Sequence, residues 1–450
     1  MVHNPILLTK RNFCVLSVIV ICMSSFIVAS TQGNPESLSE QPSQISIIQE
    51  EMPYFNGMNS IRAVIGNSSV GVLYPKIGNP QNLYLFTTFT QKIATIEIYN
   101  RRGILSYRTD LTVQNTILMS LISITEFDDG DNNSLVNLLE PIQNHTIEFK
   151  KVQFLVKKQT ETSIDSETEV SYKVSFEASN INYRSHFETL EHLSFFFELT
   201  LQKDRVTIPN IPIVSIYPRG DQLEISNAIN SKALEAIGLT SRLKFSCNIS
   251  GWDYQSPNSK LLLKVDTLAS EQILNTQHKL SGISLTRDIL KSTGILGRVL
   301  FNTDQTANIA LDHDETNIRS YTNQKFTGTR FSFGNSFREF LNFSWSPTVN
   351  VDGTTRSVVF QPLFSGQRSL VKSATNTSFL YLTGGFILPQ GADIYYDPEI
   401  KFVEINPIFE FLQIPNRSII QENSIIILIS GFFVGVLIIF RSRSTKNVAK

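Results

Sequence analysis

The 450 residues carry a formal net charge of −1. The first thirty hold two of the positive charges and the last ten hold four, with no acid in either, so residues 31–440 carry about −7. A mildly acidic body argues against nucleic acid, and against anionic lipid or polysaccharide, as main partners. Of the three cysteines only Cys247 lies beyond residue 22, so small disulfide-stapled modules are excluded and a large hydrophobic core must hold the fold.

In chain order, Lys10 and Arg11 precede an apolar run over residues 13–28, and Val28 and Ser30 suit the −3 and −1 positions of a cleavage site. Residues 1–30 therefore read as a signal peptide. Residues 31–52, polar and interrupted by two prolines, read as a flexible leader. From about residue 53 the texture becomes strand-like. Tyr84, Phe86, Thr88 and Thr90 alternate with Leu85, Thr87 and Phe89. Val170, Tyr172, Val174 and Phe176 alternate with Ser171, Lys173 and Ser175, and Phe195, Phe197, Leu199 and Leu201 repeat the pattern. Residues 261–265, 299–301, 330–333, 357–360 and 379–382 add shorter candidates. Thirty-one phenylalanines and thirteen tyrosines favour β-structure.

Turn residues at 128–133, 180–182, 218–221, 302–304 and 352–354 punctuate these strands. Helical spacing is scarce: residues 231–237 (SKALEAI) read as the best short helix, and residues 286–291 as a turn of another. No repeat of 20–50 residues stands out, which disfavours propellers and solenoids. The expected fold is all-β, a single large two-sheet β-sandwich over residues 53–415. Two adjacent sandwiches divided near residues 209–220 are the alternative.

Residues 424–440, SIIILISGFFVGVLIIF, contain no charge and are followed by Arg441, Arg443, Lys446 and Lys450. They read as one transmembrane helix, about 25 Å long, with residues 441–450 as a cytoplasmic tail by the positive-inside rule. The expected topology is a single-pass type I membrane protein, at the plasma membrane or a secretory-pathway membrane. Seven N-x-S/T acceptors, Asn67, Asn132, Asn144, Asn248, Asn342, Asn376 and Asn416, fit a glycosylated ectodomain.

Catalytic signals are weak. The acidic stretch FDDGDNN over residues 127–133 invites a calcium loop, but its carboxylates do not alternate and Leu139 stands where the loop needs Glu, so it reads as a solvated turn. Asp312, His313, Asp314 and Glu315 share one short loop and supply too few fixed ligands for a metal. Five histidines lie past the leader: His145, His186, His192, His278 and His313. None belongs to a zinc-helix or serine-hydrolase motif. His145, inside a sequon, is expected to be exposed, and His186 and His192 share one face of a strand. No cofactor and no metal are expected, and no catalytic residue is assigned. Cys247 reads as a small buried hydrophobe, with an intermolecular disulfide as the sharper option.

Two aromatic stretches stand out: a corner and apolar strand over residues 249–266 (ISGWDYQSPNSKLLLKVD), and residues 394–400 (IYYDPEI). Exposed aromatics of this kind can stack on sugars; core or corner aromatics are the commoner outcome. The SGWDYQSPNSKLLLKV run, with SITEFDDGDNN before it and YYDPEI after, resembles the C-terminal ectodomain of the ComC-type surface proteins of social amoebae. The resemblance covers about residues 60–415. It implies a supersandwich, a large two-sheet β-fold like that of galactose mutarotases. The EGF-like repeats usual in that family are missing from this chain, and no mutarotase acid–base residue can be matched, so neither role carries over.

The expected function is a non-enzymatic surface protein binding a protein or glycan ligand outside the cell, in recognition, adhesion or signalling. The alternatives are a membrane-tethered carbohydrate-binding or carbohydrate-active protein, which a cleft lined by two carboxylates, a His and a Trp would favour, and a secretory-pathway accessory protein.

Overall fold

The computed structural model describes residues 45–51, 57–65, 68–136, 141–158, 162–165, 169–183, 188–208, 212–219, 222–229, 234–273, 279–280, 283–284, 300–303, 309–310, 318–320, 330–334, 339–369 and 377–397. The first fourteen strands are β1 (Ser46–Glu51), β2 (Met58–Ile65), β3 (Ser68–Pro75), β4 (Leu83–Tyr99), β5 (Leu105–Asp128), β6 (Pro141–Glu148), β7 (Leu155–Lys158), β8 (Thr162–Asp165), β9 (Glu169–Tyr183), β10 (Glu188–Ile208), β11 (Pro212–Arg219), β12 (Gln222–Ile229), β13 (Leu234–Ser250) and β14 (Ser259–Ile273). Then follow the short β15 (Lys279–Leu280), β16 (Ile283–Ser284), β17 (Leu300–Thr303), β18 (Ile309–Ala310), β19 (Ile318–Ser320), β20 (Arg330–Gly334) and β21 (Glu339–Ser344). The last are β22 (Thr348–Val351), β23 (Thr354–Ser357), β24 (Val359–Ser369), β25 (Thr377–Leu388) and β26 (Asp393–Tyr396).

The expected strands are present because their apolar residues alternate with period two, which gives each strand one face to bury. A twelve-stranded sheet runs β1-β2-β3-β4-β5-β14-β25-β24-β19, with β6 on β5 and the β11–β12 hairpin beside β4. An eight-stranded sheet runs β23-β22-β26-β13-β10-β9-β7, with β8 on β9. Pairing is antiparallel throughout except between β11 and β4. One continuous core fills the space between the two sheets and draws on both: Val72, Leu85, Met119, Leu263 and Phe386 from the larger, Phe176, Phe195, Phe245, Cys247 and Tyr396 from the smaller. Aromatic rings meet across the gap, Tyr74 with Phe176 at 5.4 Å and Phe386 with Tyr396 at 5.2 Å. Two hydroxyls also meet there, Thr87 and Ser241 at 3.2 Å. This is a sheet-on-sheet sandwich.

Several expectations need correction. The described residues form four sheets rather than two, because β15–β16 pair with each other and β18-β17-β20-β21 form a sheet of their own, so neither set extends the main layers. The transmembrane helix expected at residues 424–440 is not part of the architecture shown. No helix among the described residues is long and apolar enough to cross a membrane, the one helical turn being the 3-10 segment Phe149–Lys151, and residues 424–440 lie outside the described residues. The helix expected over residues 231–237 is overturned: from Leu234 onward the chain is strand β13, in register with β10 from Leu234 opposite Ile208. Good helix formers yield here to the neighbouring strand, since tertiary pairing outweighs a propensity of a few tenths of a kcal/mol per residue. Residues 180–182 are no turn but lie within β9, where Asn180 takes a left-handed φ of 53°. Residues 286–291 lie outside the described residues. The stretch near residues 209–220 does not separate the layers, because β11 returns to pair with β4 while β10 and β13, on either side of it, pair along their length.

Candidate functional site

At one end of the sandwich the two sheets are stitched together by buried polar side chains. Ile124 faces the core, so Glu126, two residues on in β5, faces inward with it. His145 of β6, opposite that end of β5, also points in, as do Ile147 and Phe149 beyond it. From the smaller sheet come Tyr183 at the end of β9 and Glu188 at the start of β10. The corner joining β13 to β14, and so the smaller sheet to the larger, supplies Trp252 and Gln255. Gly251 opens that corner with φ 75°, a conformation glycine adopts without the Cβ penalty.

The Glu126 carboxylate is the hub. One oxygen meets His145 Nδ1 at 2.8 Å and accepts the Trp252 indole N–H at 3.0 Å. The other accepts the Gln255 backbone N–H at 2.8 Å. An oxygen that accepts the indole proton offers His145 an acceptor, so Nδ1 is the donor and His145 Nε2 turns to Glu188, 3.6 Å from its Oε2. Gln255 Nε2 donates to the other Glu188 oxygen at 3.2 Å. Tyr183 stacks on Trp252 at 4.7 Å, sets its edge against His145, and accepts the Asp253 N–H at 3.0 Å. Burial, with the carboxylates of Glu188, Asp253 and Glu126 adding to it, pushes the Tyr183 phenol up to about 12.

Two carboxylates, a His and a Trp thus converge, but not in an open cleft. The Glu126 and His145 side chains are 0% and 1% exposed, and Glu188 is 12% exposed. Both Glu126 oxygens are engaged by donors held in a strand, a core indole and the corner backbone. A carboxylate so held resists movement and has no free lone pair directed at solvent. The chemistry suited to this arrangement is a charged clasp that closes the sandwich end.

The other candidate residues lie elsewhere. Asp129, at the start of the 127–133 turn, is buried, accepts the Ser134 N–H, and pairs with Lys260 Nζ at 2.5 Å. Asp131 is bound by Asn133, so the turn is closed on itself. Among the described residues no group of three or more His, Cys, Asp or Glu is placed to hold a metal ion. Asp393 and Asp397 flank Tyr395 on the outer face of β26, where Asp397 accepts from Ser246 at 2.7 Å and pairs with Lys244 at 3.0 Å. They share no contact with His145. Tyr395 is exposed, whereas Trp252 and Tyr396 are core aromatics. Cys247 is fully buried and burial pushes its thiol up, which removes the intermolecular disulfide.

Of the sequon asparagines, Asn132 is exposed with φ 53°, and Asn248 is half-buried in β13. Asn144 lies in β6 and Asn342 in β21. Asn67, Asn376 and Asn416 lie outside the described residues, as do His186, His278, His313 and the rest of the 312–315 loop. His145 corrects the expectation of exposure. A strand sends successive side chains to opposite faces, so membership of a sequon says nothing about the residue after the asparagine. Glu126, Tyr183 and Glu188 were not singled out by sequence. The signal for Glu126 was there: it is a charge on the buried parity of an apolar strand.

Comparison with known proteins returns no match to a family model and none to a curated protein.

Proposed function

We propose that the chain is a non-enzymatic glycoprotein of the cell surface that acts by binding a protein or glycan partner. The supersandwich of ComC-type surface proteins is the kind of scaffold we assign to it. The observation that carries the reading is the state of the Glu126 cluster. In the constellation nearest to an acid–base site both Glu126 oxygens are occupied by His145, Trp252 and Gln255, and the His145 Nε2 that faces Glu188 at 3.6 Å is buried away from solvent. The outer face of the eight-stranded sheet agrees with a solvated exterior. It carries cross-strand ion pairs, Lys157 with Glu177 at 2.5 Å and Lys173 with Glu198 at 3.5 Å, and the sequon residue Asn248.

A second reading, a carbohydrate-active protein, is favoured by one observation, the convergence of Glu126, Glu188, His145 and Trp252. The two readings part on sealing: an enzyme must admit substrate between Glu188 and His145.

The binding reading predicts occupied sequons and a contact surface on an unglycosylated face, within residues 147–247 or 251–341. Enzymatic release of N-glycans should lower the apparent mass by several kilodaltons. Retention of the protein on cells should fall when a new sequon is engineered into an exposed loop of either span. No mass change on glycan release, or retention indifferent to every engineered glycan, contradicts the proposal.

A further inference from the structure

The hairpin joining β4 and β5 ends in a tip whose chemistry the function above does not use. Of the large hydrophobic side chains exposed among the described residues, Ile104 at 59% and Leu105 at 45% are the two that sit side by side. Single exposed apolar residues such as Ile77 and Leu155 are ordinary; an adjacent pair at a projecting tip is less so. Beside them Arg101 and Arg102 are exposed, and neither guanidinium has an ion-pair or hydrogen-bond partner among the described residues.

The tip is rigid. The Asn100 side-chain oxygen accepts the N–H groups of Arg102 at 2.9 Å and Ile104 at 3.0 Å. Asn100 N–H donates to the Ile104 carbonyl, Gly103 N–H donates to the Asn100 carbonyl, and Gly103 turns the chain with φ 74°. The base of the tip is aromatic: Tyr99 stacks on Tyr217 of β11 at 4.4 Å and 17°. The acid nearest in the strand, Glu97, is already engaged by the Tyr99 hydroxyl at 2.8 Å and by Arg108 at 3.7 Å.

We propose that this tip docks on a membrane surface bearing anionic phospholipid. Ile104 and Leu105 enter the boundary between headgroups and acyl chains, Arg101 and Arg102 meet the phosphates, and the tyrosines rest at headgroup level, where amphipathic rings are favoured. Charge complementarity selects an anionic partner. Shape selects lipid over an acidic protein. A convex tip of a few residues falls far short of the roughly 800 Å² per side of a standard protein interface, whereas a bilayer needs no matching groove. The acidic average of the whole chain conceals this cluster because the guanidinium groups act within a Debye length, about 8 Å at physiological salt. The proposal stands or falls independently of the partner-binding function.

The test is flotation of the purified full chain with vesicles of phosphatidylcholine alone, or of equal parts phosphatidylcholine and phosphatidylserine. The measured quantity is the excess binding to the phosphatidylserine vesicles. Neutralising a cation near an anionic surface should weaken partition about fivefold, so Arg101→Gln with Arg102→Gln should lower the excess about thirtyfold. Ile104→Ser with Leu105→Ser should abolish it while leaving the melting temperature unchanged. No excess in the unaltered chain, or an excess surviving both double variants, overturns the proposal. Loss in the arginine variant but not in the aliphatic one, with binding to poly-glutamate in solution, would identify an acidic protein as the partner and overturn the assignment to lipid.

Discussion

Glu126 is the side chain on which the sandwich end depends most. A glutamine there keeps the shape but offers one acceptor oxygen and places an amide N–H₂ against a donor, either the indole and imidazole N–H groups or the Gln255 backbone. Buried donors left without partners cost about 1–3 kcal/mol, and bonds to a charged group are worth about 1.5–3 kcal/mol. Glu126→Gln should therefore destabilise the protein by about 3 kcal/mol, read as a lower urea midpoint at unchanged slope. Trp252→Phe keeps an aromatic ring beside Tyr183 but removes both the N–H and the fused second ring of a core side chain, so a lost hydrogen bond and a cavity add and about 3 kcal/mol is expected. Unchanged midpoints in both would mean that the clasp contributes nothing to stability.

At the level of elements, alternation identified β9 and β10 because each turns its apolar face to the core between the sheets, whereas β4 and β5 are buried on both faces over much of their length. It read β9 from Val170 and Tyr172, and β10 from Phe195 and Phe197, with the correct parity, and all four are buried. It misjudged residues 231–237 because Leu, Glu and Ala state a local preference, while the partner that overrides it, β10, lies earlier in the chain by an amount no local window contains. The sandwich end was half legible. The corner with Trp252 was singled out, yet its role depends on Glu126 and Glu188, which come from different sheets and are joined only by topology. His145 was misread because the sequon was given more weight than the strand period that already placed it with Ile147. The tip at Arg101–Leu105 was invisible to a whole-chain charge balance, which sums over residues that never meet.

For the whole molecule, the core is held without a disulfide, and its buried phenols set an alkaline limit. Burial raises Tyr84 to about 12, with Asp266 adding to it, and raises Tyr183 to about 12. Unfolding restores the ordinary value near 10, so between about pH 10 and 12 the unfolded chain has lost protons that the folded chain retains. Stability is then complete below pH 10 and declines as pH rises from 10 to 12. Melting temperature against pH should show a fall in that window, with tyrosinate absorbance rising together with unfolding; ionisation of all tyrosines before unfolding would contradict the burial argument. The central claim is that the Glu126–His145–Glu188 cluster closes the sandwich and performs no chemistry. It is tested most directly by incubating the full chain with a panel of glycosides and free sugars while following hydrolysis and anomer exchange, in parallel with Glu188→Gln. The account predicts no turnover by either protein; turnover by the unaltered chain that Glu188→Gln abolishes at unchanged melting temperature would contradict it.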